Sequence, residues 1–172
     1  MIETSRLILK PLNHSQLIKY LENDPSLDQE LNLAVSSRDI SPELREIMEG
    51  TIIPKVSQAD RDSIYSTLWT VIEKGHNKMV GDLCFTAGPD EQGEIQIGYG
   101  TYERFRNMGF MTEAVDGLIK WAQKQPNVKS IAATTDKNNI ASYSVLIKNR
   151  FKRVAKNGSI FQWRLMLGYQ FE

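Results

Sequence analysis

The turn at residues 104–114, with the sequence RFRNMGFMTEA, constrains the fold more than any other part of this chain. It follows an alternating apolar run from Ile95 to Tyr99, which predicts a strand, and it leads into a pattern of helical period. The first turn of a helix presents amides that lack intrahelical acceptors, together with a partial positive charge. Arg104 and Arg106 add positive charge beside it. The segment therefore predicts a strand, a turn that binds phosphate groups, and a helix.

Length and charge limit the classes of protein to which the chain can belong. Its 172 residues fit a single domain over 1–172. Lysine plus arginine equals aspartate plus glutamate at 21 each, so no broad field would draw the protein onto nucleic acid or an anionic membrane. No apolar stretch approaches the roughly 20 residues of a membrane span, and the first residues do not resemble a secretion signal. We expect a cytoplasmic protein without nucleic-acid or membrane partners.

The cysteine and histidine content gives no reason to expect a metal site. Cys84 is the only cysteine, which excludes an internal disulfide and fits a reducing compartment. It lies in an apolar run and is interpreted as a small core residue. His14 and His76 are isolated in loop-like contexts, away from any grouping with metal-ligand spacing. We therefore expect no bound metal.

The first half of the chain predicts helices first and then consecutive strands. A strand at 6–10 is followed by a helix that Asn13 or Ser15 could cap, and a second helix begins at Ser41-Pro42. Residues 22–40 between these helices are polar and predict a loop, with room for a short helical turn. Strands are then predicted at 65–72, 79–85 and 94–100, and their short polar connections indicate antiparallel pairing.

The second half changes to alternating helices and strands. A helix is predicted at 109–125, a strand at 128–134 and a helix from Asn139 to about Asn149. Strands at 151–155 and 160–167 flank Asn157-Gly158, a strong hairpin signal. The whole pattern predicts an α/β (α+β) fold around a mixed, mostly antiparallel sheet.

This order of elements resembles the GCN5-related N-acetyltransferases, the GNAT superfamily, from about Thr4 to Met166. Within it, the chain looks most like the ribosomal-protein N-terminal acetyltransferases. The matching motifs are Thr4-x-Arg6-Leu7-x-Leu9, Gly98-Tyr99, Thr112-Glu113-Ala114 and Asn139-x-Ala141-Ser142. The resemblance implies an N-acetyltransferase that uses acetyl-CoA as co-substrate, with an amine that attacks directly in a ternary complex. The acceptor is either a protein N-terminus or a small-molecule amine, and a homodimer is left open.

The resemblance also implies where the coenzyme binds. The family's sheet carries helices on both faces and has a V-shaped split between two parallel strands, here those that end near Gly100 and Thr134. Amides of about Arg106 to Met111 would hold the diphosphate, and backbone groups from Gly98 to Thr101 would bind the pantetheine arm and the oxyanion. The implied coenzyme contacts are Gly98, Tyr99, Gly100, Thr101, Arg104, Arg106, Asn107, Met108, Gly109, Phe110, Met111, Thr112, Asn139 and Ser142.

The sequence departs from the family pattern at two glycines. Asn107 stands where the turn normally has its first glycine, and asparagine tolerates the left-handed backbone that such a turn needs. After the last helix, Asn149-Arg150 replaces the usual residue and glycine, and Asn149 is the expected left-handed terminator. Neither departure removes a chemical group.

Three residues are candidates for acid–base chemistry. The family often places a carboxylate on the strand before the turn, which makes Glu94 the candidate base for the amine. The alternative is an ordinary charged residue at a strand start. Ser142 is the preferred donor to the leaving thiolate and Tyr143 its competitor, because adjacent helical positions point roughly 100° apart. Alternatively, Ser142 bonds its own helix and Tyr143 packs.

Two rival functions do not require catalysis. The chain could be an acyl-CoA-binding sensor without turnover, or an interaction domain that binds no coenzyme. In the enzyme interpretation, residues 22–40 and the second helix would form the wall of the acceptor site.

Overall fold

The computed structural model describes residues 1–58 and 63–168, which form one eight-stranded sheet in the order β1-β2-β3-β4-β5-β6-β8-β7. The strands are β1 Ile2–Glu3, β2 Leu7–Pro11, β3 Leu68–Glu73, β4 Lys78–Ala87, β5 Glu94–Thr101, β6 Ser130–Asp136, β7 Lys152–Asn157 and β8 Ile160–Met166. All neighbouring strands pair antiparallel except β5 and β6, which are parallel. The predicted mixed, mostly antiparallel sheet is confirmed.

Helices cover the two faces of this sheet. They are α1 His14–Leu21, α2 Ser26–Glu30, α3 Pro42–Ile47, α4 Ile53–Gln58, α5 Phe110–Ala122 and α6 Ile140–Lys148. Successive residues of β4 enter different clusters, since Leu83 packs with α5 and Cys84 packs with α1. Because side chains alternate along a strand, the two helix groups lie on opposite faces.

Local sequence signals explain several helix ends. Asn13 caps α1 in a capping box with Gln16, and Ser41 caps α3 with Pro42 in its first turn. The predicted second helix is not continuous, because a π-helical turn at Met48–Ile52 separates α3 from α4. Met48 and Ile52, at the two ends of this turn, are buried, whereas Ile47 before it is 40% exposed.

The strand predicted at 65–72 begins later, at Leu68. Residues Ser63–Tyr65 form a 3₁₀ turn instead, and the carbonyl of Ile64 accepts a hydrogen bond of 2.9 Å from Trp69 Nε1. The two-residue strand β1 was not predicted, since it is too short to show a period, and the five-residue α2 is the short helical turn allowed for in the loop at 22–40. Their positions depend on tertiary contacts.

The split between β5 and β6 is the feature of the sheet that positions the site. Within the described residues, these strands pair only from Glu94 with Ser130 to Ile97 with Ala133. Beyond that point β5 remains paired with β4 as far as Thr101, and β6 remains paired with β8 as far as Asp136. The strands therefore separate while each keeps its outer neighbour, which confirms the predicted V-shaped split.

The end of α6 corrects one prediction. Asn149 has φ −91°, whereas Arg150 has φ +66° and is the left-handed residue. The amide of Arg150 donates to Ile147 O and that of Phe151 to Leu146 O, each at 3.0 Å, which is a Schellman motif. Asn149 has another function, since its side-chain amide donates to Thr112 O at 3.2 Å.

We predict that R150G stabilises the protein by roughly 1 kcal/mol, because glycine adopts the left-handed region without the steric cost of a Cβ. The measurement is the free energy of unfolding by chemical denaturation. K148G is the matched control, since glycine at the last residue of α6 should instead destabilise by about 1 kcal/mol. Equal destabilisation by both changes would contradict the assignment.

Candidate active site

A cleft of about 660 Å³ lies beside the end of β5, beyond the last residue of this strand that pairs with β6. The predicted coenzyme residues that line it are Tyr99, Gly100, Thr101, Arg106, Asn107, Gly109, Phe110, Met111, Thr112, Asn139 and Ser142. Three other predicted contacts, Gly98, Arg104 and Met108, are not among the lining residues. The walls are the end of β5, the turn that follows it, the first turn of α5 and one face of α6.

The turn before α5 has the backbone of an anion-binding loop. Asn107 has φ +60° and Gly109 has φ +77°, so the predicted left-handed conformation of Asn107 is confirmed. Gly109 is the N-cap of α5, and no side chain caps the helix. The first-turn amides therefore have neither a capping side chain nor an intrahelical acceptor. An anion placed there would accept from these amides and would meet the positive end of the helix dipole.

Arg6 and Glu113 hold this turn in place. Glu113 accepts hydrogen bonds of 2.6 Å from Thr4 Oγ1, 2.7 Å from the Arg6 amide and 2.6 Å from Arg6 Nε. The Arg6 guanidinium also donates to Met108 O at 3.0 Å and lies 4.8 Å from the centre of the Phe110 ring. Burial raises the pKa of Glu113, but the hydrogen bonds outweigh it and hold the pKa below its usual value. Glu113 therefore has a structural role, which is to fix the position of the turn.

Arg104 joins the turn to the segment at 22–40 rather than to the cleft. Its guanidinium donates to Ser37 Oγ at 3.0 Å and to Ser37 O at 2.5 Å. The neighbouring Glu103 amide donates to Asp39 Oδ2 at 2.7 Å. Arg106 does line the cleft, and so does Lys148, which the sequence analysis missed. The sequence did contain a signal for Lys148, because its spacing from Ala141 and Ser144 places all three on one face of the predicted helix.

The segment at 22–40 is organised around a buried ion pair. Arg38 Nη2 lies 2.7 Å from Asp28 Oδ2, and both side chains are almost fully buried. Burial raises the pKa of Asp28, and the Arg38 charge acts against that rise. Arg38 also accounts for the position of this segment beside α1, because its guanidinium lies 5.4 Å from the Tyr20 ring centre.

Ser142 and Tyr143 have different environments. Asn139 Oδ1 accepts from the Ser142 amide at 3.1 Å, and Tyr99 Oη donates to the Ser142 carbonyl at 2.7 Å. Ser142 lines the cleft, whereas the Tyr143 ring stacks on Trp163 at 5.9 Å. Burial raises the pKa of Tyr99 to about 12, so this residue stays a neutral donor. The structure thus brings only Ser142 of this pair to the cleft.

Glu94 lies at the end of β5 away from the cleft. Its carboxylate accepts from Ser130 Oγ at 3.1 Å and pairs with Arg164 Nε at 2.5 Å. At about 3.3 Å per residue, it stands roughly 13 Å along the strand from Gly98, where β5 leaves β6. Its assignment as base stays a prediction that this geometry does not favour.

A buried polar cluster behind the cleft was missed by the sequence analysis. Asp82 on β4 is paired with Gly100 and is 6% exposed. Tyr20 Oη donates to Asp82 Oδ2 at 3.0 Å, and the hydroxyls of Tyr20 and Tyr102 share a short hydrogen bond. Burial raises the pKa of Asp82 to about 7, although the bond from Tyr20 lowers it. The signal in the sequence was a single carboxylate inside the otherwise apolar run at 79–85.

A second pocket of about 750 Å³ borders the helices at 42–58. Ile47, Thr51, Ile52 and Lys55 form one side of it, and residues 85–90 at the end of β4 form another. The expectation that the second helix forms the acceptor wall is compatible with this arrangement and stays a prediction.

Cys84 is buried in the core cluster that includes α1. Burial raises the pKa of the Cys84 thiol to about 12, so the reactive thiolate is disfavoured. Within residues 1–58 and 63–168, no three His, Cys, Asp or Glu side chains are grouped to hold a metal. No helix in these ranges is long and apolar enough to cross a membrane.

Comparison with known sequences gives the same family as the motifs. The family model described as "Acetyltransferase (GNAT) domain" matches residues 6–152. A curated relative, the uncharacterized N-acetyltransferase YjdG of Bacillus subtilis, is 33% identical over 95 residues. That match covers 55% of this chain and 56% of the relative, little more than half the length of each.

Solved structures share the fold. The ribosomal-protein-S5-alanine acetyltransferase of Vibrio fischeri has a TM-score of 0.67 and 18% identity, over 98% of this chain and 97% of that one. RimL, a ribosomal L7/L12 alpha-N-protein acetyltransferase solved in complex with coenzyme A, has a TM-score of 0.63 and 19% identity, over 95% and 96%. At this identity the likeness shows the fold alone.

We predict that the stability of this protein depends on the ionisation of Asp82. The ordinary pKa of 3.8 is raised to about 7 in the folded state, so between these pH values the folded protein keeps a proton that the unfolded chain has lost. Stability conferred by this proton is complete below about pH 4 and is lost as pH rises through about 7. D82N lacks this group, so its free energy of unfolding should rise relative to that of wild type as pH increases between these values. The gain should reach on the order of 4 kcal/mol at about pH 7.

The measurement is chemical denaturation of both proteins across that pH range. D116N, at a side chain that is 49% exposed, is the control and should show no such gain. A difference between D82N and wild type that does not change with pH would contradict the assignment.

Proposed function

The chain belongs to the GNAT acetyltransferase family, and on that premise we propose that it transfers the acetyl group of acetyl-CoA to a primary amine. The observation that carries the proposal is this cleft, which joins an uncapped helix N-terminus to the edge of β5 where that strand has left β6. A diphosphate and an extended arm have the shapes and hydrogen-bonding groups that these two parts would bind. The proposed reaction is a direct attack in a ternary complex.

Two parts of the cleft would bind the coenzyme. The amides from Arg106 to Thr112, with the side chains of Arg106 and Lys148, would hold the diphosphate. The backbone from Gly98 to Thr101, beyond the last pair with β6, would hydrogen-bond the pantetheine arm as a further strand would. The left-handed turn and the missing cap fit this group, since both leave amides directed at it.

The reaction requires a free lone pair on the nitrogen of the acceptor amine. The acceptor loses a proton to a base and its nitrogen attacks the thioester carbon, so that a C–N bond forms. An amide near Gly98 to Thr101 would stabilise the oxyanion. When the C–S bond breaks, the Ser142 hydroxyl, which lines the cleft, would give its proton to the leaving thiolate and take up the second N–H proton that the nitrogen loses as the amide forms.

The acceptor proposed first is the α-amine of a protein N-terminus. Support comes from the family motifs and from a neighbour of the same fold that is named for acetylating an alanine of a ribosomal protein. An α-amine has a pKa of about 7.7 to 8.0, so it needs less assistance than lysine near 10.4. A small-molecule amine is the competing acceptor.

The proposal is tested by thiol release from acetyl-CoA. The acceptors are peptides with free N-terminal alanine or serine, polyamines and aminoglycosides, and calorimetry with coenzyme A measures binding. We expect binding to the protein and turnover with at least one amine. Binding without any turnover would favour the sensor, and no binding would favour the interaction domain.

We predict that S142A lowers kcat by about 10²-fold and leaves the affinity for coenzyme A unchanged, because the hydroxyl acts on the leaving group. Y143F is the matched control and should keep wild-type kcat, since its ring packs on Trp163. Loss of turnover in Y143F but not S142A would assign the proton donor to Tyr143 instead.

A further inference from the structure

Two glycines of β5 lie beside buried side chains of β4, and no Cβ covers those side chains from β5. A Cβ added at either glycine would lie on the face of the sheet that α1 covers. A Cβ added at Gly98 would lie 3.6 Å from Cys84 Sγ, and one added at Gly100 would lie 3.7 Å from Asp82 Oδ1. Without these Cβ atoms, a small group above β5 can reach the thiol and the carboxyl.

This open stretch coincides with the split in the sheet. Gly98 and Gly100 lie beyond Ile97, the last residue of β5 that pairs with β6. Gly100 also lines the cleft. Asp82 therefore borders the place where the thioester end of an arm bound between the strands would emerge.

The surroundings of Asp82 leave one oxygen available. Tyr20 from α1 donates to Oδ2, while Oδ1 faces Gly100. The other titratable groups that interact with Asp82 are Tyr102 after β5 and Cys84 on the same strand, while Arg38 and Asp39 from the loop before α3 act on Tyr102. None of the ion pairs among the described residues includes Asp82.

Three other carboxylates described above are already engaged in ion pairs. Glu94 pairs with Arg164, and Glu113 pairs with Arg6. Asp28 is held by Arg38. Asp82 differs from all three because a neutral hydroxyl is its partner and a cleft residue without a side chain is its neighbour.

We propose that the Asp82 carboxylate is the base that takes the proton from the acceptor ammonium group. The inference rests on the proposed acetyl transfer. One N–H bond of the ammonium breaks and an O–H bond forms at Asp82, which leaves a neutral amine to attack the thioester. After the C–S bond has broken, Asp82 returns its proton to solvent, so the base is regenerated.

The pKa of the Asp82 carboxyl is suitable for a base that deprotonates an α-amine. Burial raises the pKa of Asp82 to about 7, close to the α-amine value of about 7.7 to 8.0. A base is most effective when its pKa lies near the working pH. At neutral pH a large share of the carboxyl is ionised and can accept a proton.

The test is the pH dependence of kcat in wild type, D82N, Y20F and E94Q. The acceptor is a peptide with free N-terminal alanine, or the amine of the panel that wild type uses fastest. We expect D82N to reduce kcat by about 10²-fold at pH 7 and by far less at about pH 10, where the amine is already neutral. A purely structural role would give the same loss at every pH.

The Y20F variant tests the proposal independently of D82N. The Tyr20 hydrogen bond lowers the pKa of Asp82, so its removal should move the acid limb of the kcat profile to higher pH. Thermal unfolding and calorimetry with coenzyme A establish that each variant is folded and binds. If D82N does not fold, the Y20F shift decides the matter, and an unshifted limb overturns the proposal.

Two further results are decisive. A D82N loss that is absent or constant with pH overturns the proposal, as does E94Q producing the pH-dependent loss instead. Both leave the proposed acetyl transfer intact, because wild type still releases thiol. A folded wild-type protein that neither binds coenzyme A nor releases thiol overturns the proposed function and this inference together.

Discussion

The interruption of pairing between β5 and β6 is the constraint on which the rest of the structure depends. Both strands continue past Ile97 and Ala133, and each stays bonded to its outer neighbour. Backbone amides and carbonyls at the two inner edges are thereby left facing a gap inside a sheet. Buried backbone groups without partners are costly, so such a gap is stable only where water or a ligand can supply the missing bonds. The cleft is that place.

Contacts from distant parts of the chain hold the gap open. Tyr99 reaches from β5 to the Ser142 carbonyl, which fixes the N-terminus of α6 against the diverging strand. At the other end, Asn149 bonds Thr112 O and joins the C-terminus of α6 to the first turn of α5. Glu113 then secures that first turn to the turn between β1 and β2, through Thr4 and Arg6. The cleft is thus a property of the assembled sheet and helices.

Much of this arrangement could be predicted from local sequence, and the exceptions have physical causes. The turn before α5 was predictable because Asn107 and Gly109 have a direct backbone preference. The Arg150 terminator was not, because αL is uncommon for a residue with a long side chain. The Asp82 cluster joins β4 to α1 across 62 residues, and the buried pair of Arg38 with Asp28 packs beside it. No local pattern reports such contacts.

The most direct test of the central claim is a titration of isotopically labelled protein with coenzyme A, followed by backbone amide NMR shifts. The account predicts that the largest changes fall on Tyr99–Thr101, on Arg106–Thr112 and on Asn139–Ser142, which meet at the split. Shifts confined to the second pocket, at Ile47–Lys55 and residues 85–90, would contradict it. So would the absence of any shift at millimolar coenzyme in folded protein.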